Sequence, residues 1–432
     1  MKIKTFSILV CIILIFSTTA FSKVLDDDRW EKTFGGEQYD HGFTVQQTND
    51  GGYIVVGETY SYGAGKRDVW LVKIDEYGNK EWDKTFGGGD EDGALSIEQT
   101  EDGGYIITGS RDVVVIQGVS ITGNLWLIKT DEDGNKEWDK TFIRGEWDYG
   151  SAVHQTSDGG YIIVGSSYGT ENSVIWLIKT DDQGNKIWDK TFGGHRYDNG
   201  FDVKITDDNG YIITGIQMQT NGRYDADMWL IKTDESGDME WERTFGGLDE
   251  DWAYCVEQTL DGGYIIIGDT RSFSNDGYDE AWLVKTDKTG NEEWSKTFGR
   301  DDSGLGYWGE QTSDGGYVIV GTYGPHYAFF DSNLWLIKTD GNGEKQWDKS
   351  YGRRNSVDKG SCVQQTSDGG YIITGLKGAS DPLNKGGDGD LWLIKTDSNG
   401  NAGKRSRILI EQFLTKIYER FPILVKIIQN LT

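Results

Sequence analysis

Cysteine, proline and histidine are all scarce in this chain, and the shortages remove several classes of protein at once. Of 432 residues, three are Cys, three are Pro and four are His. Cys11 falls in an N-terminal apolar run, which leaves Cys255 and Cys362 at matching places in two repeat units. Two cysteines a unit apart give no disulfide framework and read as free, small core residues. His41, His154, His195 and His326 sit in different units, with no Ser-His-Asp, HExxH or CxxC pattern around them, so no nucleophile constellation emerges. Positive charge is short as well: 43 Lys and Arg face 71 Asp and Glu, a formal −28. Phosphate backbones require a basic surface, so nucleic acid is not a partner.

What the chain has in quantity is glycine, 61 residues, and aromatic side chains, 13%. Both belong to a repeat. Trp126 to Phe142, with Asp131-x-x-Gly-Asn in its middle, reads as a β-hairpin whose turn supplies left-handed positions. Its first strand recurs at Trp70, Trp126, Trp176, Trp229, Trp282, Trp335 and Trp392. A second hairpin, Gln-Thr-Ser-Asp-Gly-Gly-Tyr-Ile-Ile in its commonest form, lies between the copies and places Tyr53, Tyr105, Tyr161, Tyr211, Tyr264, Tyr317 and Tyr371. Four short strands per unit and a period near fifty residues indicate an all-β, seven-bladed β-propeller of four-stranded antiparallel blades, spanning 23–400.

The ends fit this reading. Trp30-Glu-Lys-Thr-Phe34 copies a fourth strand but precedes any first strand, while the last unit lacks its fourth strand after Gly400. Trp30 to Phe34 is therefore expected to complete the last blade and leave no open edge. Met1 to Ser22 carries Lys2 and Lys4 ahead of an apolar run from Phe6 to Phe16, the pattern of a signal peptide with cleavage near Ala20 or Ser22; an uncleaved anchor is the alternative. Residues 401–432 change character. Ile410, Phe413, Leu414, Ile417, Phe421, Leu424, Ile427, Ile428 and Leu431 recur at helical spacing, and six basic residues oppose two acidic ones. This predicts an amphipathic helical tail, with 404–432 contacting a membrane surface, another protein or the propeller itself.

The Asp-x-x-Gly-x-x-x-Trp pattern at Asp131 to Trp138, repeated at Asp75, Asp181, Asp234, Asp287 and Asp340, resembles the tryptophan-docking repeat of quinoprotein-like propellers. The whole unit is similar to uncharacterised secreted propeller repeats of archaea and bacteria. The resemblance implies the fold; enzymes of that superfamily hold pyrroloquinoline quinone with Ca²⁺ over the channel, often beside a vicinal disulfide, and this chain has no adjacent cysteines.

Candidate sites come from the loops that vary between units. Eight residues before each Gln-Thr threonine, or its equivalent, stand Asp40, Asp92, Asp148, Asp198, Asp251 and Asp358, with Gly304 breaking the series. Six aspartates at the channel mouth suit a cation such as Ca²⁺ or an electronegative funnel; the competing reading, which the residue type favours, is that each accepts N–H groups of its own turn. Trp147, Tyr149, Trp252, Tyr307, Trp308, His326 and Tyr327 place aromatic rings beside those carboxylates, suited to sugar stacking or a protein hot spot, against the alternative of local packing. The repeated lysines, Lys73 to Lys395, are expected to pair with nearby carboxylates. Together these point to a secreted or cell-surface, non-catalytic propeller binding a glycan or protein on its variable face, with a quinoprotein-like or carbohydrate-cleaving enzyme and a pure scaffold as competing classes.

Overall fold

The computed structural model describes residues 29–116, 119–195, 197–218, 226–274, 277–299, 303–325, 331–379 and 388–403. The leader at 1–22, the segment 404–432, and His326 and Tyr327 lie outside the described residues. Among the described residues every regular element is a strand.

Each unit runs as an antiparallel meander of four strands, and the reason is local. In the second hairpin Thr156 Oγ1 donates to Asp158 Oδ1 at 2.6 Å while Gly160 N donates to the same oxygen at 3.0 Å, closing the turn. In the other, Asn135 N donates to Asp131 Oδ1 at 2.7 Å and Gly134 has φ 72°. The second and third strands, such as Tyr53–Thr59 and Asp68–Ile74, are buried at every position. That burial explains their near-continuous apolar sequence: both faces are covered by neighbouring units. One face of the first unit, with Val55, Trp70 and Val72, packs on Cys362, Ile372 and Leu393 of the seventh. The other, with Ile54, Val56 and Leu71, packs on Ile97, Tyr105 and Ile107 of the second. The core is thus a set of layers between sheets, each buried aliphatic side chain contributing about 1.5–3 kcal/mol.

Tryptophans of the fourth strands join the units. The Trp82 ring covers Gly134 of the next unit, where a Cβ would fall 2.5 Å from the ring, so that glycine is required by its backbone and by its neighbour alike. The same contact recurs at Trp138 with Gly184, Trp188 with Gly237, Trp241 with Gly290, Trp294 with Gly343 and Trp347 with Gly400. Trp30 makes it with Gly78. The strand Trp30–Phe34 pairs antiparallel with Asp390–Thr396, Trp30 opposite Lys395 and Phe34 opposite Leu391, so the chain's first strand completes the sheet of its last unit.

One expectation changes. The strands form six sheets rather than seven separate ones. Strands Tyr105–Ile116 and Val119–Thr130 are twelve residues long, and the extension brings Gly123 beside Trp147 in a parallel pairing that merges two four-stranded meanders into one eight-stranded sheet. Past the last unit, Ala402 bridges Thr396 and packs on the last layer.

The lysines are structural, as their repetition suggests. Lys129 Nζ lies 2.8 Å from Asp102 and 3.2 Å from Glu137, and donates to Thr130 O at 2.8 Å. Equivalent pairs hold Lys73, Lys179, Lys232, Lys285, Lys338 and Lys395.

Candidate binding cavity in the central channel

The innermost strands are Asp40–Gln47, Glu91–Gln99, Trp147–Gln155, Asn199–Ile205, Asp251–Gln258, Ser303–Gln311 and Val357–Gln365. All seven carry a bulge at the same place, between Gly42 and Thr44, Ala94 and Ser96, Gly150 and Ala152, Gly200 and Asp202, Ala253 and Cys255, Gly306 and Trp308, and Gly360 and Cys362. A bulge leaves one residue out of the ladder and re-aims its side chain. The residues left out are Phe43, Leu95, Ser151, Phe201, Tyr254, Tyr307 and Ser361, and every one lines a single cavity of about 640 Å³. His41, Glu58, Arg67, Trp147, Tyr149, Trp308 and Lys359 also line it. Its volume falls within the range of about 300–1,000 Å³ usual for small-ligand sites.

Its aromatic wall has two groups. Trp147 stacks on Tyr168 at 4.9 Å and leans on Tyr149 at 5.2 Å; Tyr254 meets Phe201 at 5.5 Å and Tyr307 edge-on at 5.5 Å. The polar wall is His41, whose Nε2 lies 2.9 Å from Ser361 Oγ and whose Nδ1 lies 3.2 Å from Tyr39 Oη. Burial, reinforced by the Lys359 charge, holds the His41 imidazole down to about 3, so the ring is neutral at pH 7. A base so weak accepts a serine proton poorly, and its second nitrogen meets a phenol rather than a carboxylate, unlike a nucleophile–base–carboxylate triad. Burial alone pulls Lys359 below the ordinary lysine value. Arg67 is paired with Glu58 at 2.8 Å and Glu91 at 3.9 Å.

Further along the same strands a second group fills the channel. Lys204 Nζ sits 4.8 Å from the centre of the Trp308 ring, 3.5 Å from Asp202 and 3.4 Å from His154 Nε2, while His154 Nδ1 meets Glu98. Burial pushes the Glu310 carboxyl up to about 8, with the Gln365 N–H pulling the other way, and raises Glu257 against the opposing Lys204 charge. Side chains at this level also staple units together: Gln46 Oε1 accepts from Gln99 N at 2.8 Å, and Gln364 Oε1 from Gln47 N at 2.7 Å.

The sequence-derived candidates divide. Trp147, Tyr149, Tyr307 and Trp308 are brought together in the cavity wall, and Trp252 stands behind it, stacked on Phe201 at 6.2 Å. The six aspartates are not brought together at a mouth. Each is 0–2% exposed and serves its own unit, taking N–H groups of its own loop and in three cases of the second strand: Asp92 accepts from Gly88 N and Asp112 N, Asp198 from Gly194, His195 and Met218, Asp251 from Gly247, Asp358 from Arg353 and Gly378. Asp40 takes Gly36 N at 2.9 Å, and Asp148 takes Arg144 N at 2.8 Å. Buried carboxylates satisfied by N–H groups project no open ring of oxygens. Nor does this ring suit the Ca²⁺ of a quinone site, and among the described residues no group of three or more His, Cys, Asp and Glu is placed to hold a metal. Sequence reasoning missed Phe43, Phe201 and Tyr254, although each stands three residues after an aspartate of the series.

No family model matches the chain, and no curated protein matches it. Solved structures do. A polysaccharide lyase, an ulvan lyase of family PL25 bound to -[GlcA(1-4)Rha3S]-, aligns over 88% of this chain and 99% of its own with TM-score 0.57 and 12% identity. A puromycin hydrolase S511A mutant aligns over 79% of this chain and 51% of its own, with TM-score 0.50 and 11% identity. Sqt1 from Chaetomium thermophilum, bound to the N-terminus of ribosomal protein L10, covers 84% and 98% at TM-score 0.48 and 10% identity. The shared fold is the β-propeller. Identities this low carry the architecture and no chemistry.

Proposed function

We propose that this chain is an exported, non-catalytic β-propeller of the secreted or cell-surface class, seven-bladed when the eight-stranded sheet is counted as two blades, and that it binds oligosaccharide in its channel cavity. The carrying observation is the wall made by bulged residues: seven inner strands turn side chains into one space, and Phe43, Phe201, Tyr254, Tyr307, Trp308, Trp147 and Tyr149 make that space aromatic. Sugar rings present apolar C–H faces that stack on such rings, with hydroxyls left for His41 and Ser361. A polysaccharide lyase of the same fold, an ulvan lyase bound to -[GlcA(1-4)Rha3S]-, is in keeping with this reading.

A glycan-array screen of the full chain, with Ca²⁺ and with chelator, tests the proposal. Sugar binding that falls about tenfold in Trp308→Ala, a loss near 1.4 kcal/mol, supports it. Binding only to proteins on a folded sample would move the ligand class. Turnover of a bound sugar, which the weakly basic His41 beside Ser361 argues against, would establish a carbohydrate-cleaving enzyme instead.

A further inference from the structure

We infer that the sugar this cavity takes carries a negative charge, a carboxylate or a sulfate, seated at Lys359; the inference rests on the oligosaccharide reading above and narrows it.

Among the described residues, the ionised groups lining the cavity are Arg67, Lys359 and Glu58, with His41 neutral at pH 7. Arg67 and Glu58 answer each other at 2.8 Å. What remains is a single ammonium, a local positive site in a chain whose formal charge is −28.

The repeat makes that ammonium stand out. The seven lysines of the third strands each sit within 3 Å of a turn carboxylate, because the frame of every unit uses them. Lys359 belongs to no such series. Its counterparts, the residue after each aspartate or after Gly304, are His41, Gly93, Tyr149, Asn199, Trp252 and Leu305, so the fold does not call for a cation there. No carboxylate lies within ion-pair distance of Lys359 among the described residues, and no acid offsets its burial. A half-buried charge without a counter-charge costs desolvation that nothing in the protein returns. A ligand anion supplies the missing partner, and the neighbouring polar pair, His41 and Ser361, offers hydrogen bonds to the same end of the ligand. The aromatic rings across the cavity then take the uncharged ring faces. A carboxylate and a sulfate present the same oxygen chemistry to an ammonium, and the test separates them.

The experiment screens the full chain on oligosaccharides in matched pairs, uronate against its parent hexose and sulfated against unsulfated, for wild type, Lys359→Met and Lys359→Arg. The expected result is at least a tenfold preference for one acidic member, weakened by added salt as a partly exposed ion pair should be, lost in Lys359→Met and kept in Lys359→Arg. Equal binding of the paired sugars, or a preference that survives Lys359→Met, overturns the charge assignment and leaves the oligosaccharide reading standing. Failure of a folded wild-type sample to bind any sugar overturns both. Should Lys359→Met not fold, Lys359→Gln and the salt dependence of the wild type decide in its place.

Discussion

The Trp30 indole lies so close over Gly78 that a Cβ there would fall 2.7 Å from its Cδ2, and its Nε1 donates to Glu76 O at 3.1 Å. The first strand of the chain is thus docked on the first unit while hydrogen-bonded to the last. Trp30→Ala should lower the free energy of unfolding by about 3–5 kcal/mol, the usual cost of removing a buried tryptophan. Denaturant unfolding measures it; an unchanged midpoint would show that ring closure does not depend on this strand.

Asp251 has its carboxylate satisfied within its own unit, by Gly247 N at 2.9 Å in the loop that precedes it and by the Thr270 hydroxyl of the paired strand. Asp251→Ala should cost about 1–3 kcal/mol by leaving buried donors unmatched. The loss should be the same in Ca²⁺ and in chelator, read by thermal melts. A loss seen only with Ca²⁺ present would restore the cation reading of the aspartate series.

Glu310 and Asp269 set the pH response on the alkaline side. Burial raises both carboxyls to about 8, helped at Asp269 by the Asp279 charge. A folded value above the unfolded one, near 4, gives stability that is present below about pH 4 and lost as pH rises through 8. Glu310→Gln should abolish its share of that decline, because Gln46 and Gln364 already fill equivalent positions as neutral acceptors. The variant should match wild type near pH 5 and exceed it by on the order of 2 kcal/mol at pH 8. Parallel pH profiles for the two proteins would contradict this.

Asp50, Asp158, Asp208 and Asp261 act at the other end. Burial opposes their ionisation, but the threonine hydroxyl, glycine N–H and lysine beside each bring them to about 2. Depressed values give stability that is present above about pH 4 and lost as pH falls through 2. Lys179→Met should therefore cost stability at neutral pH, by an amount that solvent screening keeps small for these half-open pairs, and converge on wild type as pH falls through 2. Circular dichroism against pH checks it.

Cys255 and Cys362 are buried, and burial pushes the Cys362 thiol up to about 12 and Cys255 well above its ordinary value. Neither should react with a thiol reagent until the ring unfolds. Peptide mapping of labelled native protein, which separates them from Cys11, reads the result directly.

Much of this architecture was legible because its signals are local and repeated. The Asp-x-x-Gly-Asn turn needs only five residues to declare itself, and the unpaired copy at Trp30 to Phe34 announced the closure that its pairing with Asp390–Thr396 shows. The aspartate series was legible too, but its role was not. Asp198 and its equivalents face their own loops, a direction decided by backbone geometry that a residue count does not carry. The cavity was hidden for a related reason. Along an ordinary strand Phe201 and Tyr254 would alternate between blade faces; a bulge after Gly200 and Ala253 takes them out of that alternation. The Lys204, His154 and Glu98 cluster escaped for another, since its members come from three consecutive units and meet only when those units pack together.

That the strand Trp30–Phe34 finds its partner at Asp390–Thr396 also fixes an order in time. The earliest strand to be synthesised waits for the latest before it has an edge to join, and every unit between must be made first. Throughout that interval the nascent protein carries an aromatic strand with open backbone groups, a ready template for pairing with another copy. The pairing that shuts the ring thus joins strands more than 350 residues apart and carries the largest loop-closure cost of any in the molecule's described sheets.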